Sequence, residues 1–291
     1  MTAANPLLAK LSDYAQLIKL RLSLTVVFSA AMAYVIARPF DIEALPFITL
    51  ILGGFCITAS ANAINCIIEC DYDALMKRTA TRPLPAGRMA KREAVVFAAI
   101  MAGLGTFFLT VPQINYWPGV AALVSLILYA FVYTPAKRLS PIAVFVGAFP
   151  GALPLIIGVL SATGEIGTIG WVLFGVQFVW QFPHFWAIGL LSQEDYHNAG
   201  FRLVPVHSSM RPTAINIVLF QIGLALLSYL PLHLGMLPMA ALWPAVVANA
   251  IFILSGILLL AKPNRRGAVL VLLASILYLP ILYFGYFLTQ F

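Results

Sequence analysis

The chain of 291 residues is 62% hydrophobic and only 9% charged, with a formal net charge of +7 at pH 7. Soluble domains carry roughly 25% charged residues, so this composition excludes a water-soluble globular fold. The positive charge does not indicate a nucleic-acid-binding protein, because the basic residues border apolar segments, where they determine membrane topology.

Nine apolar segments follow one another along the chain. A bilayer core about 30 Å thick needs roughly 20 apolar residues per helical span. The segments do not alternate apolar and polar residues as the strands of a membrane β-barrel would. The predicted spans are Leu20–Ala37, Pro46–Ile68, Ala94–Val111, Pro118–Tyr133, Ile142–Leu160, Thr168–Leu191, Thr213–Leu232, Met239–Ala261 and Gly267–Tyr286. The sequence therefore predicts an all-α polytopic membrane protein.

The basic residues are distributed unevenly between the two ends of these spans. Lys and Arg near span ends are retained on the cytoplasmic side of the membrane. Of the 17 basic residues, only Arg38 falls on one side. The others are Lys10, Lys19, Arg21, Lys77, Arg78, Arg82, Arg88, Lys91, Arg92, Lys137, Arg138, Arg202, Arg211, Lys262, Arg265 and Arg266. We expect a bacterial inner-membrane protein with a cytoplasmic N-terminus and a C-terminus outside.

The cytoplasmic end of the second span carries an acidic pattern. Asn65, Glu69 and Asp73 recur at intervals of four and therefore share one helical face. Carboxylates stacked at the mouth of an apolar bundle repel each other unless a cation lies between them. Mg²⁺ takes oxygen ligands, often one or two carboxylates with substrate phosphates. The pattern predicts an Mg²⁺ site with these three ligands, completed by Asp195 from a second acidic loop across the bundle.

Basic residues follow the acidic pattern directly, and bound phosphates need such partners. Arg in particular can hold phosphate oxygens in a bidentate fork. The candidate diphosphate-binding residues are Lys77, Arg78, Arg82, Lys137 and Arg138. The alternative for each of them is a place on a solvated cytoplasmic surface, where basic residues collect in any membrane protein.

One histidine lies inside a predicted span. His184 belongs to the sixth span, and polar residues within spans are functional candidates by default. Contact with a haem or another second substrate is one interpretation, and a hydrogen-bonded histidine that packs between helices is the other. Cys56, Cys66 and Cys70 lie in the second span or near its cytoplasmic end, a reducing location, so we expect free thiols.

Several motifs in order resemble those of the UbiA-type membrane prenyltransferases, most closely the protohaem IX farnesyltransferase (haem O synthase) branch. The first signature of that family is similar to Asn65-x3-Glu69-x-Asp71-x-Asp73-x2-Met76-x-Arg78-Thr79-x2-Arg82-Pro83-Leu84. The other matching segments are Tyr133-Thr-Pro-x-Lys137-Arg138-x-Ser-Pro and Trp180-Gln-x-Pro-His184 to Asp195-Tyr196. The family usually has Asp where this chain has Glu69, and Glu also ligates Mg²⁺.

The resemblance covers nearly the whole chain and implies one transmembrane prenyltransferase domain, residues 1–291, with signature loops at 62–93 and 180–212. It implies nine transmembrane helices in a UbiA-type bundle around a central apolar cavity that opens to the cytoplasmic side. The implied reaction transfers farnesyl from farnesyl diphosphate to a vinyl group of haem B, making haem O. Mg²⁺ is the implied cofactor, and a haem A-forming enzyme or a terminal oxidase assembly is an implied partner.

The implied catalytic residues are Asn65, Glu69, Asp73, Arg78, Arg82 and Asp195. An aromatic or quinone-precursor acceptor would keep this chemistry and change only the nucleophile. A membrane transporter without catalysis is the alternative of another class, and it predicts ionisable residues lining a pathway near mid-span. Apart from His184, the predicted spans hold essentially none.

Overall fold

The computed structural model describes residues 6–113, 115–201 and 210–291. Among these residues all regular secondary structure is helical, including a π-helical segment, Leu128–Tyr133, and a 3₁₀ turn, Met239–Ala241. The α-helices are α1 (Pro6–Leu17), α2 (Leu20–Ala37), α3 (Ala44–Ile68), α4 (Cys70–Asp73), α5 (Lys91–Phe108), α6 (Trp117–Ile127), α7 (Thr134–Ala136), α8 (Ala143–Thr163), α9 (Gly167–Leu191), α10 (Gln193–Asn198), α11 (Met210–His233), α12 (Leu242–Ala261) and α13 (Arg265–Leu288).

Every apolar segment predicted from the sequence is helical, with ends that differ by no more than three residues. In the described part of the chain, 7 helices are long and apolar enough to cross a membrane. The two predicted spans outside that set are α5 and α9. Charged Lys91, Arg92 and Glu93 open α5, and Gln177, Gln181 and His184 interrupt the apolar run of α9. The protein is thus an all-helical polytopic membrane protein, and seven of its described helices meet the length and hydropathy expected of a span.

The helices form one bundle in which both chain neighbours and distant segments pack side by side. α3 packs against α5, α2 against α8, and α12 against α13, while α9 contacts α8, α11 and α13. Tyrosines are among the largest fully buried side chains. The Tyr278 hydroxyl donates to Asn249 Oδ1 at 3.0 Å, and the Tyr286 hydroxyl donates to the Ser228 carbonyl. These bonds matter because a buried polar group in hydrocarbon has no water to bind.

The helix that begins as α6 widens into the π-helical segment before it ends as α7. In this segment the Thr134 amide donates to the Tyr129 carbonyl, five residues back, and the Thr134 hydroxyl donates to the same oxygen at 2.9 Å. Such widened turns often occur at functional sites. Here the segment carries Tyr129 and Tyr133 into the wall of the cavity described below.

Close contact between α2 and α8 depends on Gly158. A Cβ atom at this position would lie 2.1 Å from the carbonyl oxygen of Ala30, which belongs to the facing backbone. We expect Gly158→Ala to push the helices apart and to lower stability by about 1–3 kcal/mol, the usual range for overpacking. The check is a lower midpoint of thermal unfolding for the purified protein in detergent.

The matched control is Gly103→Ala in α5. A Cβ atom there meets nothing within 4 Å, and Ala is a better helix former than Gly. We expect this variant to unfold at or above the midpoint of the parent protein. Equal midpoints for the two variants would contradict the role assigned to Gly158.

Candidate active site

A cavity of about 220 Å³ lies where α2 begins and where α3, α7 and α9 end. Charged and aromatic side chains form most of its wall. Its lining consists of Lys19, Leu22, Glu69, Asp73, Met76, Arg78, Arg82, Tyr129, Tyr133, Lys137, Val144, Phe185, Ile188, Tyr196 and Phe201. The expectation of an apolar cavity therefore holds for part of the wall only, because six of these residues are charged.

The two carboxylates of the first signature lie one helical turn apart in this wall. The backbone amide of Glu69 donates to the Asn65 carbonyl at 2.9 Å, and that of Asp73 donates to the Glu69 carbonyl at 2.8 Å. Four-residue periodicity therefore continues across the break between α3 and α4. Both side chains are buried. The predicted common face of Glu69 and Asp73 is present.

Each carboxylate has a cationic neighbour from another segment. Lys137 Nζ lies 2.6 Å from Glu69 Oε1, and Arg82 Nη1 lies 2.6 Å from Asp73 Oδ2. Glu69 Oε1 accepts no well-aligned hydrogen bond from any described residue, so its contact with Lys137 is an ion pair. Thr79 fixes the connecting loop by donating to the Asp73 carbonyl at 2.8 Å. Each carboxylate is thus paired with a cation, and Lys19 and Arg78 add further positive charge to the wall.

Asn65 differs from its predicted role as a metal ligand. It is fully buried and does not belong to the described cavity lining. Its Oδ1 accepts from Lys19 Nζ at 2.5 Å, and its Nδ2 donates to Thr134 Oγ1 at 3.0 Å. Because both ends of the amide are engaged, Asn65 connects α2, α3 and α7 beneath the cavity.

Sequence reasoning missed Lys19 as a site residue and treated it only as a topology cation. Lys19 has φ 49° and ψ 57°, a left-handed conformation that is uncommon outside glycine. This conformation ends α1 and redirects the chain into α2, so that the Lys19 side chain enters the cavity wall. The sequence offered one signal, the position of Lys19 directly before the first span. A role in membrane topology already accounted for that position.

The remaining predicted diphosphate-binding residues divide into two groups. Arg78 and Arg82 line the cavity, whereas Lys77 and Arg138 are exposed and lie outside its described wall. The guanidinium of Arg138 instead lies 4.1 Å from the ring centre of Tyr72. The structure thus brings three of the five predicted cations, counting Lys137, to the carboxylates.

The second signature loop contributes aromatic side chains to the wall. Asp195 is only partly exposed but is absent from the described lining, while its neighbour Tyr196 and Phe201 are present. Burial raises the pKa of the Tyr196 phenol, so it stays protonated at neutral pH and can donate a hydrogen bond. Phe201 packs in a small cluster with Met76, joining the two signature loops. Arg202 and the rest of segment 202–209 lie outside the described residues.

His184 occupies a packing position within the bundle. Its ring stacks on Trp180 with centroids 4.7 Å apart, and its Nδ1 lies 2.8 Å from Ser275 Oγ of α13. His184 is outside the described cavity lining, although the next residue, Phe185, belongs to it. This arrangement matches the packing interpretation of the sequence. All three cysteines are free thiols, as expected.

The donor set fits a hard divalent cation only when a ligand supplies further oxygens. Among the described residues, no group of three or more His, Cys, Asp or Glu side chains is arranged to hold a metal. Glu69 and Asp73 provide two buried carboxylates, one with an oxygen that accepts no hydrogen bond from the described chain. Mg²⁺ commonly binds through one or two carboxylates and substrate phosphates, so the pair is suited to it.

Residues 26–277 match the UbiA prenyltransferase family, which is most of the chain. The chain belongs to this family. A protoheme IX farnesyltransferase of Cytophaga hutchinsonii is 41% identical over 279 residues, which cover 95% of this chain and 97% of that relative. The resemblance to UbiA-type prenyltransferases inferred from the motifs is therefore confirmed.

Solved structures agree with the UbiA fold. A structure described as digeranylgeranylglyceryl phosphate synthase superposes with a TM-score of 0.78 at 20% identity, covering 97% of this chain and 98% of that one. A UbiA homologue from Archaeoglobus fulgidus bound to GPP and Mg²⁺ gives a TM-score of 0.65 at 16% identity, covering 94% and 99%. At these identities the likeness establishes the fold alone.

Proposed function

We propose that this UbiA prenyltransferase transfers the farnesyl group of farnesyl diphosphate to a vinyl group of haem B, producing haem O. The observation that carries the proposal is the 41% identity, over nearly the whole of both chains, to a protoheme IX farnesyltransferase. The cavity supports it independently, because paired carboxylates, several cations and aromatic walls meet there.

Glu69 and Asp73 are the residues that would hold Mg²⁺ in the cavity. Asp195 remains proposed as a further ligand, because its neighbour Tyr196 belongs to the cavity wall. When bound, the ion supplies positive charge that neutralises diphosphate oxygens. The metal-bound homologue from Archaeoglobus fulgidus is consistent with this arrangement in the same fold. Asn65 is assigned instead to hold Lys19 and Thr134 in place.

The cations of the wall stabilise the leaving group. Arg78, Arg82, Lys137 and Lys19 line the same cavity as the carboxylates. As the bond between farnesyl C1 and the diphosphate oxygen breaks, both bonding electrons leave with the diphosphate, and preorganised cations stabilise its developing charge. Tyr196, whose phenol is protonated at neutral pH, can donate a further hydrogen bond to it.

The rest of the wall protects the allylic cation that remains. Tyr129, Tyr133, Phe185 and Phe201 present aromatic surface to the cavity, which limits premature reaction with water. The vinyl carbon of haem then forms the new carbon–carbon bond. Water adds to the resulting cation and releases one proton, which gives the hydroxyl group of the product.

The topology that suits this chemistry has nine spans and a cytoplasmic active site. α9 packs against α8, α11 and α13, and all three of these helices qualify as spans by composition. The polar residues of α9 can therefore face protein and not lipid. α5 packs along α3, and α3 qualifies as a span by composition. The basic residues around the cavity favour its placement on the cytoplasmic side, with the N-terminus inside and the C-terminus outside.

The test is a product assay with the purified full-length protein in lipid. With haem B, farnesyl diphosphate and Mg²⁺ we expect haem O, identified by its mass, and inorganic diphosphate in equal amount. Chelation of the metal should abolish both products, since the carboxylates and cations of the wall alone would leave part of the diphosphate charge uncompensated.

Competing acceptors distinguish the alternatives in the same assay. Farnesylation of an aromatic acid or a quinone precursor in preference to haem B would replace the proposed acceptor but retain the prenyltransferase. Movement of haem across the membrane without diphosphate release would instead favour a transporter.

A further inference from the structure

The first helix, α1, presents three different surfaces around its circumference. Successive residues of an α-helix are about 100° apart, so Leu11, Leu8, Ser12 and Gln16 follow one another around the helix, with the leucines at one end of this arc and the polar residues at the other. Leu8 and Leu11 are 63% and 56% exposed. Ser12 and Gln16 are exposed too, and their side chains hydrogen-bond each other at 3.3 Å. An apolar and a polar sector thus lie side by side.

The third surface of α1 is fixed to the rest of the protein. Lys10 Nζ lies 2.7 Å from Glu93 Oε1, and the Tyr14 hydroxyl donates to the same oxygen at 2.7 Å. Arg88 Nε donates to Asp13 Oδ1 at 2.9 Å. Leu17 is buried in a cluster that includes Cys66 of α3 and Ala94 of α5.

These contacts fix the direction of α1 relative to the bundle. Its first half is attached to Glu93, at the start of α5, and its last residue packs at the end of α3. The helix therefore lies across the ends of two membrane-crossing helices, on the side of the bundle that carries the cavity. Leu20 and Leu24, which follow one turn apart in α2, are exposed like other bilayer-facing residues.

We infer that α1 is an interfacial helix, with Leu8 and Leu11 inserted at the boundary between lipid headgroups and acyl chains and Ser12 and Gln16 facing water. A helix with an exposed apolar sector beside an exposed polar one lies in this plane. Lys10, with its side chain 41% exposed, and Arg21 are near enough along the chain to favour anionic headgroups. This inference goes beyond the transfer reaction, since it assigns the lipid surface as the partner of α1.

The experiment measures immersion depth at four positions of the full-length protein in lipid nanodiscs. Leu8→Cys, Leu11→Cys, Ser12→Cys and Gln16→Cys are each made in a Cys56→Ala parent, in which the remaining thiols, Cys66 and Cys70, are buried. Each variant carries a nitroxide label, and the labelled parent serves as the blank. Collision rates are measured with oxygen, which concentrates in lipid, and with a water-soluble nickel chelate.

We expect the ratio of oxygen to nickel collisions to decrease in the order 11, 8, 12 and 16, with a several-fold difference between positions 11 and 16. Equal ratios at all four positions would mean that the leucines and the polar residues share one environment, in water or in lipid, and would overturn the inference. Protection of positions 8 and 11 from both reagents would also overturn it, because another protein surface, such as a second copy of the chain, would then cover the leucines.

Discussion

Asp73→Asn is expected to lower the turnover of haem O formation by about 10²–10³-fold, comparable to the loss of one preorganised charge-stabilising group. Asp73 is almost completely buried in the cavity wall, and Arg82 Nη1 lies 2.6 Å from its Oδ2. Asn preserves the size of the side chain but removes its charge, which weakens the site for a divalent cation. The measurement is the initial rate of haem O production at saturating farnesyl diphosphate.

The same motif supplies a matched control two residues earlier. The side chain of Asp71 is 83% exposed and contacts only Lys91, at 3.3 Å, among the described salt bridges. We expect Asp71→Asn to retain nearly the parent rate. Comparable losses in both variants would show that the acidic run acts through its overall charge, and the assignment of Asp73 to the cavity would be wrong.

Lys137→Gln is expected to lower kcat/KM for farnesyl diphosphate by about 10²-fold, since a buried cation beside the diphosphate stabilises charge in a site of low dielectric. Lys137 is 8% exposed, its Nζ lies 2.6 Å from Glu69, and it belongs to the cavity wall. The measurement is the dependence of the initial rate on farnesyl diphosphate concentration, with thermal unfolding followed in parallel to confirm that the variant is folded.

Arg138→Gln provides the comparison at the neighbouring position. Its guanidinium contacts the face of Tyr72 and lies outside the described cavity wall. An exposed cation–π contact contributes about 0.5–1 kcal/mol, so we expect a change of only a few-fold. If Arg138→Gln proved as damaging as Lys137→Gln, both residues would have to bind the diphosphate, as the sequence alone suggested.

The spans were predictable because their signal is local. An apolar run of the required length specifies a membrane helix almost regardless of what surrounds it. The relation between Glu69 and Asp73 was predictable for a similar reason, since four-residue spacing places two side chains on one face wherever the backbone stays helical. The hydrogen bonds from Asp73 to Glu69 and from Glu69 to Asn65 maintain that spacing through the break after α3.

The residues that sequence reasoning misjudged depend on contacts between distant segments. Lys19 reaches Asn65 only because its backbone adopts a left-handed conformation at the junction of α1 and α2. Asn65 has the right chemistry for a metal ligand, but Lys19 and Thr134 engage its amide. Lys137 and Arg138 are adjacent and both cationic, so the sequence does not reveal that the orientation of the helix end directs only Lys137 into the cavity wall.

That orientation depends on the widened segment Leu128–Tyr133. A π-helical turn accommodates one residue more than the α-helical turn it replaces, and a residue added to an α-helix rotates everything after it by about 100°. A residue lost from the α-helical part between Trp117 and Leu128 would therefore turn Lys137 away from the carboxylates. A relative with one residue fewer could direct the same lysine towards them if the widened turn closed into an α-helical one.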